Sequence, residues 1–245
     1  DELVGTPIEA IMFCLGDGRT VLHDTKVGEL WGAPIDKWPH LGFRRARQNA
    51  KHLIEEGNDP LRIICDRAHA KGLLLYATLL VQQGSGEREV DPGNFARTSN
   101  FRLENKYLEI GARGDLDTNA RWTQYLDFKH EEVREERFAL IQETLDRYPV
   151  DGFELQLNYT PYYFHPNEVE KGRGIMTEWV RRVHDAVKRS GAERELAIRI
   201  PASIEGCLSV GLDPVGWIRE GIVDVIIGQT FSGPELLDPT VDFTP

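Results

Sequence analysis

The sequence predicts an α/β fold, a (β/α)8 barrel, because apolar runs and segments of helical periodicity alternate along the chain. Alternation of this kind is the pattern of parallel βαβ units. The length of 245 residues suits one domain, 1–245, since barrels of this type often reach about 250 residues without dividing. The five predicted parallel strands are 8–16, 73–81, 152–159, 196–202 and 223–231.

Four helices are predicted between these strands from their capping residues and apolar stripes. The first begins at Asp59 and Pro60 and stops at Gly72, as N-terminal and C-terminal preferences require. The others are 130–148, which carries acidic residues in its first turn, and 176–191 and 213–221, which end at glycines.

Five strands are too few to close this type of barrel, which needs eight. We therefore expect an incomplete barrel of about five to six βα units, with one strand upstream of residue 1 and two downstream of residue 245. The alternative is that weakly patterned strands lie in the long insertions 17–42 and 82–126. Each insertion follows a predicted strand, so both are expected at the C-terminal face, either shaping a binding cleft or as surface insertions without a role.

Composition argues against several classes of function. A net charge of -11 has the wrong sign for attraction to nucleic acid or anionic lipid, so neither partner is predicted. No apolar run approaches the roughly 18 residues of a membrane-spanning helix, and localisation is left open. Cys14, Cys65 and Cys207 lack metal-ligand spacing and are predicted to be buried thiols, so no metal and no cofactor is expected.

Strand parity selects the candidate catalytic residues, because alternate side chains of a barrel strand face the interior. In the strand 152–159, Glu154, Gln156 and Asn158 share the inward face, and Arg199 faces inward from a neighbouring strand. An Arg beside a Glu favours the ionised carboxylate, which suits a nucleophile, a base or an electrostatic stabiliser. The alternative is a buried ion pair without chemistry.

Other polar residues are predicted to line the same end of the barrel and to bind substrate. Parity turns Tyr76, Thr78, Gln82 and Gln229 inward, and amides and hydroxyls are groups that hydrogen-bond sugar hydroxyls. The alternative is an ordinary hydrated barrel mouth.

The loop that follows Glu154 is rich in aromatic residues. It reads YTPYYFHP from Tyr159 to Pro166, and its rings suit a stacking platform for sugars, with at least one of them serving core packing instead. Tyr159, Tyr163 and His165 are the candidates there, although a lone loop His is more often structural. Asp17, after the first strand, is a further candidate for binding substrate.

Glycoside hydrolysis usually needs a second carboxyl group, and the sequence does not identify one. Asp17, Asp24 and Glu205 follow predicted strands but are equally explained as capping or solvated loop residues. Asp151 and Asp224 stand at strand starts, the stability end of a barrel, and are predicted to be structural.

The order of segments TPIEAIMFCLGDG, DPLRIICDRAHAKGLLL, NFRLENK, VDGFELQLNYTPYYFHP and GLDPVGWIREGIVDVII resembles bacterial glycosyl-hydrolase-like TIM-barrel proteins of the family-10-like group. The resemblance covers nearly the whole chain and implies a TIM-barrel fold and glycosidase chemistry. The family strand has the form DG-apolar-Glu-Leu-Asp, so the matching acid is Glu154. Gln156 stands where the resemblance leads us to expect Asp, and an amide cannot act as nucleophile or base.

Two functions follow as expectations. The first is a glycoside hydrolase acting on a poly- or oligosaccharide, with Glu154 as acid/base or nucleophile and Arg199 as its electrostatic partner. The second is a carbohydrate-binding barrel that no longer cleaves, which Gln156 favours. A metal- or phosphate-dependent isomerase or lyase ranks below both, because the sequence shows no phosphate loop and no clustered ligand set.

Overall fold

The computed structural model of the protein describes residue 3, residues 5–82, residue 86, and residues 92–117 and 119–229. These residues form a mixed α/β structure around a seven-stranded, mostly parallel sheet. In chain order the strands are β1 (Ala10–Asp17), β2 (Thr20–Val21), β3 (Glu29–Leu30), β4 (Leu74–Leu80), β5 (Gly152–Gln156), β6 (Glu195–Ile200) and β7 (Val225–Gly228).

The helices lie in the connections between the strands. The α-helices are α1 (Leu41–Glu55), α2 (Pro60–Ala70), α3 (Pro92–Phe95), α4 (Asn100–Glu104), α5 (Glu131–Arg147), α6 (Val169–Ser190), α7 (Ile204–Ser209) and α8 (Pro214–Glu220). Short 3-10 helices cover Lys106–Leu108, Arg121–Gln124 and Pro166–Glu168.

The strand order in the sheet is β3-β2-β1-β4-β5-β6-β7. The five predicted strands are confirmed as neighbours that pair in parallel and in chain order from β1 to β7. Their ends differ from the prediction by up to three residues, and residues 230 and 231 of the last one lie outside the described residues. Over the described residues the sheet is not closed, and β3 and β7 are its edges.

Two short strands were missing from the prediction. β2 folds back antiparallel to β1, with Gly16 opposite Val21, and β3 pairs parallel to β2. Both lie in the insertion 17–42, which agrees with the alternative that weakly patterned strands are hidden there. A strand of two residues is too short to show an alternating pattern, so the sequence gives no signal for it.

The predicted helix ends are confirmed where capping residues are present. The Asp59 side chain accepts a hydrogen bond from the Leu61 amide at the start of α2, and Asp213 does the same for Gly216 at the start of α8. Gly221 ends α8 in the left-handed conformation, with φ of 66°.

Two helices differ from the prediction. α1 was not predicted, although its apolar residues have helical spacing and the His40 side chain caps it by accepting a hydrogen bond from the Gly42 amide. α6 begins at Val169, seven residues before the predicted start. Its first two turns contain Gly172 and Gly174, which are poor helix formers, and a Cβ at Gly172 would lie 2.5 Å from the ring of Phe164.

The apolar core lies between one face of the sheet and the helices. Alternate strand residues, such as Leu155, Ile198 and Leu79, are fully buried in it together with Trp179 and Val183 of α6. The intervening residues of the same strands, Met12, Thr78, Glu154, Ala197 and Arg199 among them, are not part of this cluster. The predicted parity is therefore confirmed: helices cover the apolar face, and polar groups mark the other.

Part of the insertion 17–42 lies at the amino ends of the strands, whereas the whole insertion was expected at the carboxyl ends. The Thr25 hydroxyl donates to Glu143 at 2.6 Å, and Arg147 pairs with Asp24 at 2.5 Å. Both partners belong to the C-terminal part of α5, which leads into the start of β5. Asp24 is thus a structural ion-pair partner at the amino ends of the strands.

Gly152 and Gly174 provide a matched test of this packing. A Cβ at Gly152 would overlap the ring of Tyr76 and lie 2.7 Å from the carbonyl oxygen of Glu195, whereas a Cβ at Gly174 meets no atom within 4 Å. Gly152→Ala should lower the free energy of unfolding by about 1–3 kcal/mol. Gly174→Ala should raise it by roughly 0.5–1 kcal/mol, because alanine favours an exposed helix. Urea denaturation measures both, and equal effects of the two changes would contradict the described packing.

Candidate functional site

Glu154 lies in the middle of β5 and is fully buried, and each of its carboxylate oxygens accepts a hydrogen bond from a neighbouring strand. The Thr78 hydroxyl donates to Oε2 at 2.6 Å, and the Arg199 Nε donates to Oε1 at 2.6 Å. Strand register produces this geometry. Thr78 of β4 stands opposite Glu154, and Arg199 of β6 stands opposite Gln156, two residues further along β5.

The two donors define the chemistry available to Glu154. The Arg199 guanidinium and the Thr78 hydroxyl each donate to one oxygen of Glu154 and so hold the carboxyl group in one orientation. A carboxylate held in one orientation by strand residues suits attack on an electrophile, proton abstraction or stabilisation of a cationic centre.

Gln229 and Asn158 extend the network toward the carboxyl ends of the strands. The Gln229 Oε1 accepts from Arg199 Nη1 at 3.1 Å and from Asn158 Nδ2 at 3.3 Å. Because this oxygen already accepts from two donors, the Nε2 group of the Gln229 side chain is the one that can donate to a ligand. The Asn158 Oδ1 is buried and has no hydrogen-bond partner among the described residues.

Gln156 adds a further amide to this end of the sheet. Its side chain is partly exposed and forms no hydrogen bond or ion pair with the described part of the chain. Gln156, Asn158 and Gln229 therefore present amide groups around Glu154 that a polar ligand could engage.

Asp17 is held by Arg97, a residue that sequence reasoning missed. The Arg97 Nε and Nη2 donate to the two oxygens of Asp17 at 2.9 and 2.5 Å, and Trp31 Nε1 donates to one of them at 3.4 Å. The Arg97 Nη1 also donates to the Tyr159 hydroxyl at 2.8 Å. Arg97 comes from the insertion 82–126, where no repeating pattern marks a functional position.

The electrostatics of this cluster favour charged forms. Burial acts to lower the pKa of Arg97 and is the largest single effect, yet the hydrogen bonds and charge of Asp17 raise the pKa overall. With both oxygens bound by a guanidinium, Asp17 is poorly suited to donate a proton or to contact a sugar.

The cysteines match their prediction in two of three cases. Cys65 and Cys207 are buried, but Cys14 is exposed, which corrects the expectation for that residue. Cys14 lies in β1 opposite Thr78, on the face that bears Glu154. Neighbouring groups that partly desolvate its sulfur, and the charge of Asp17, raise the pKa of the Cys14 thiol.

Three predicted substrate-binding residues are buried and have structural contacts. The Tyr163 hydroxyl donates to the Leu157 carbonyl at 3.0 Å, and the His165 Nδ1 accepts from the Asn167 amide at 3.2 Å. The Gln82 amide donates to the carbonyls of Leu126 and Tyr162. Each side chain is at most 1% exposed, and these contacts fix it against backbone groups of the loops.

The physical reason for these placements is the irregular backbone that follows β4 and β5. Loop carbonyls and amides have no strand partner, so nearby polar side chains satisfy them. The exposed ring of this loop is Tyr162, which stacks on Trp122 with centroids 5.3 Å apart.

The remaining acidic residues are separated by their positions. Asp151 accepts from the Leu75 amide and Asp224 from the Leu196 amide, both at 2.7 Å, which confirms their structural prediction at strand starts. Glu205 is exposed in the first turn of α7, after β6, and forms no ion pair with a described residue.

Neither a metal-binding cluster nor a membrane-spanning helix is present among the described residues. They contain no group of three or more His, Cys, Asp or Glu side chains placed to hold a metal ion. None of the helices described is both long and apolar enough to cross a bilayer.

Comparison with known proteins gives weak structural likenesses. No protein-family model matches the chain, and no curated protein matches it in sequence. An alpha-amylase from Lactobacillus plantarum is similar over 67% of this chain and 34% of its own, at 16% identity and a TM-score of 0.44. The galactosidase domain of alpha-galactosidase-sucrose kinase AgaSK is similar over 76% of this chain and 26% of its own, at 13% identity and a TM-score of 0.42.

A cyclomaltodextrinase is similar over 62% of this chain and 25% of its own, at 15% identity and a TM-score of 0.35. The chain thus spans about a third or less of the length of these proteins. All three TM-scores are below 0.5, so the likenesses do not establish a shared fold or activity, and the resemblance to the family-10-like group is not confirmed by them.

A double-mutant cycle tests the coupling between Glu154 and Arg199. Arg199→Met in the native chain should lower the free energy of unfolding by about 3–5 kcal/mol, because it leaves a buried carboxylate unpaired. In the Glu154→Gln background the same change should cost roughly 2 kcal/mol less. Urea denaturation of the four proteins gives the coupling energy. Additive effects of the two changes would mean that the pair is not coupled.

Proposed function

We propose that the protein is a glycoside hydrolase acting on a poly- or oligosaccharide, with Glu154 as its catalytic carboxylate. The observation that carries the proposal is the fixed, doubly hydrogen-bonded carboxylate of Glu154 on the polar face of a parallel sheet. Amides of Gln156, Asn158 and Gln229 surround it. Amide and hydroxyl groups close to a carboxylate can form directional hydrogen bonds with sugar hydroxyls, as a carbohydrate-binding site requires.

Glu154 acts in this proposal as nucleophile or as stabiliser of the oxocarbenium-like transition state. Its negative charge attracts the positive charge that builds up at the anomeric carbon, and this attraction stabilises the transition state. Arg199 and Thr78 are positioning residues, since they hold the carboxylate oxygens in place. Asn158, whose Oδ1 is buried without a partner among the described residues, supplies an acceptor for a substrate hydroxyl.

The general acid is a separate group in this proposal, because both oxygens of Glu154 already accept hydrogen bonds from Thr78 and Arg199. Asp17 is a poor choice, since Arg97 occupies both of its oxygens. Glu205 remains a candidate, being exposed after β6 without an ion-pair partner among the described residues.

We further propose that the sheet belongs to a (β/α)8 barrel. The support is that β1, β4, β5, β6 and β7 pair in parallel in chain order, with their apolar faces packed against helices. In that architecture, side chains at the carboxyl ends of the strands form the active site, which is where Gln156, Asn158 and Gln229 lie.

A binding protein without turnover is the second candidate, and two observations favour it. Gln156 stands where the family resemblance leads us to expect Asp, and Asp17 is neutralised by Arg97. Such a protein would use the same amides and the Glu154 carboxylate to hold a glycan without cleaving it.

Product release from a panel of polysaccharides and aryl glycosides separates these functions. Glu154→Gln should reduce turnover by about a thousandfold or more, because an amide supplies neither a nucleophile nor a negative charge. Glu220→Gln is the matched control, as this carboxylate lies in α8, partly exposed and paired with Arg181, and should leave turnover unchanged. Circular dichroism establishes that each variant is folded.

The outcomes discriminate clearly. Turnover that is retained in Glu154→Gln would remove this residue from the chemistry. Glycan binding by the native protein with no product from any substrate would favour the binding function.

A further inference from the structure

A cavity of about 600 Å³ lies between the segment that follows β3 and the first turns of α1. It is distinct from the Glu154 site and is lined by Asp36, Lys37, Trp38, Pro39, His40, Leu41, Arg44 and Gln48. Nothing in the sequence pattern marks it, because it joins a loop to a helix that was not predicted.

The wall of this cavity is an ordered aromatic stack. Trp38 stacks on Trp31 with ring centroids 6.3 Å apart and planes 26° from parallel, and Phe43 of α1 packs edge-on against Trp31. Gly32 makes room for the stack, since it adopts a positive φ of 75° and any Cβ there would overlap the Trp38 indole. Trp38 is partly exposed, so one part of its ring surface is available to a ligand.

Lys37 and Arg44 give the cavity positive charge. Lys37 and Arg44 are exposed, and neither forms an ion pair with any residue in the part of the chain that the structure describes. Asp36 is the acidic residue in the lining, and it already has an interaction partner. The protein has a net charge of -11. Two cations without an ion-pair partner among the described residues, beside a partly exposed indole, therefore form a local positive patch on an acidic protein.

The stack connects the cavity to the carboxyl ends of the strands. Trp31, beneath Trp38, donates through Nε1 to Asp17 at 3.4 Å, and Asp17 is held by Arg97, which also binds Tyr159. These contacts link the stack to Asp17 at the end of β1, the strand that pairs with β4.

We propose that this cavity is a subsite for an acidic sugar unit, one whose ring bears a carboxylate or a sulfate group. The indole of Trp38 offers an apolar surface for the sugar ring, and Lys37 and Arg44 offer charge-assisted hydrogen bonds to its acidic group. The inference rests on the proposed function and narrows it to anionic glycans.

Binding of three hexasaccharides by isothermal titration calorimetry tests this subsite. We expect hexagalacturonate or a sulfated galactan hexasaccharide to bind more tightly than neutral galactohexaose, with affinity that falls as salt is added. Comparison of the two acidic ligands shows whether the carboxylate or the sulfate is preferred. Repeating the titrations with Glu154→Gln separates this subsite from catalysis, because that variant should still bind.

Arg44→Ala and Arg45→Ala are a matched pair for the charge. Both residues are exposed on α1 without an ion pair to a described residue, and Arg44 lines the cavity whereas Arg45 does not. Arg44→Ala should weaken binding of the acidic hexasaccharide about fivefold, and Arg45→Ala less than about twofold. Trp38→Ala should weaken binding of every ligand that uses the subsite, by about tenfold.

Three results would overturn the proposal. Equal losses in Arg44→Ala and Arg45→Ala would indicate non-specific attraction to the basic helix. Tighter binding of the neutral hexasaccharide would remove the acidic group from recognition. A folded protein that binds neither acidic hexasaccharide would have no such subsite.

Discussion

The buried carboxylate of Glu154 is the constraint on which the arrangement of the site depends. A charge that is fully removed from water is costly unless donors compensate it, and here the donors come from both neighbouring strands. Thr78 and Arg199 reach the carboxylate because β4, β5 and β6 run in parallel and in one register. The chemistry of one side chain is thus tied to the pairing of three strands.

The long insertions complete the surroundings of this network. Arg97 and Trp31 come from different insertions, and both bind Asp17 at the end of β1. The insertion 82–126 is cross-linked internally by Arg102, which is fully buried, donates to the Gln124 carbonyl and pairs with Glu109. Loops held by buried ion pairs of this kind present fixed side chains, which a binding face requires.

Much of the fold and the centre of the site follow from alternation in the sequence. The pattern of 152–159 places Glu154 and Gln156 on one face and Leu155 on the other, and the same rule brings Arg199 beside Glu154. Alternation works here because one face of each strand must be apolar to pack on helices. It predicts which side chains share a face, and the contacts of Thr78 and Gln229 then follow from register.

The loop contacts could not be predicted in this way, because loops have no period. Arg97 carried no signal in its insertion, although its side chain determines the state of Asp17. Tyr163 and His165 were expected at a sugar platform, but they satisfy backbone groups of their own loop. The α1 helix was also not predicted, although its apolar residues have helical spacing.

The most direct test of the central claim is a crystal structure of the Glu154→Gln variant with a bound oligosaccharide. We expect a sugar ring at the carboxyl ends of β5 to β7, with its hydroxyls hydrogen-bonded to Asn158 and Gln229 and its anomeric carbon facing residue 154. A glycan bound only at a distance from residue 154, with the side chains of Thr78 and Arg199 still in contact with residue 154 and no sugar beside them, would contradict this prediction.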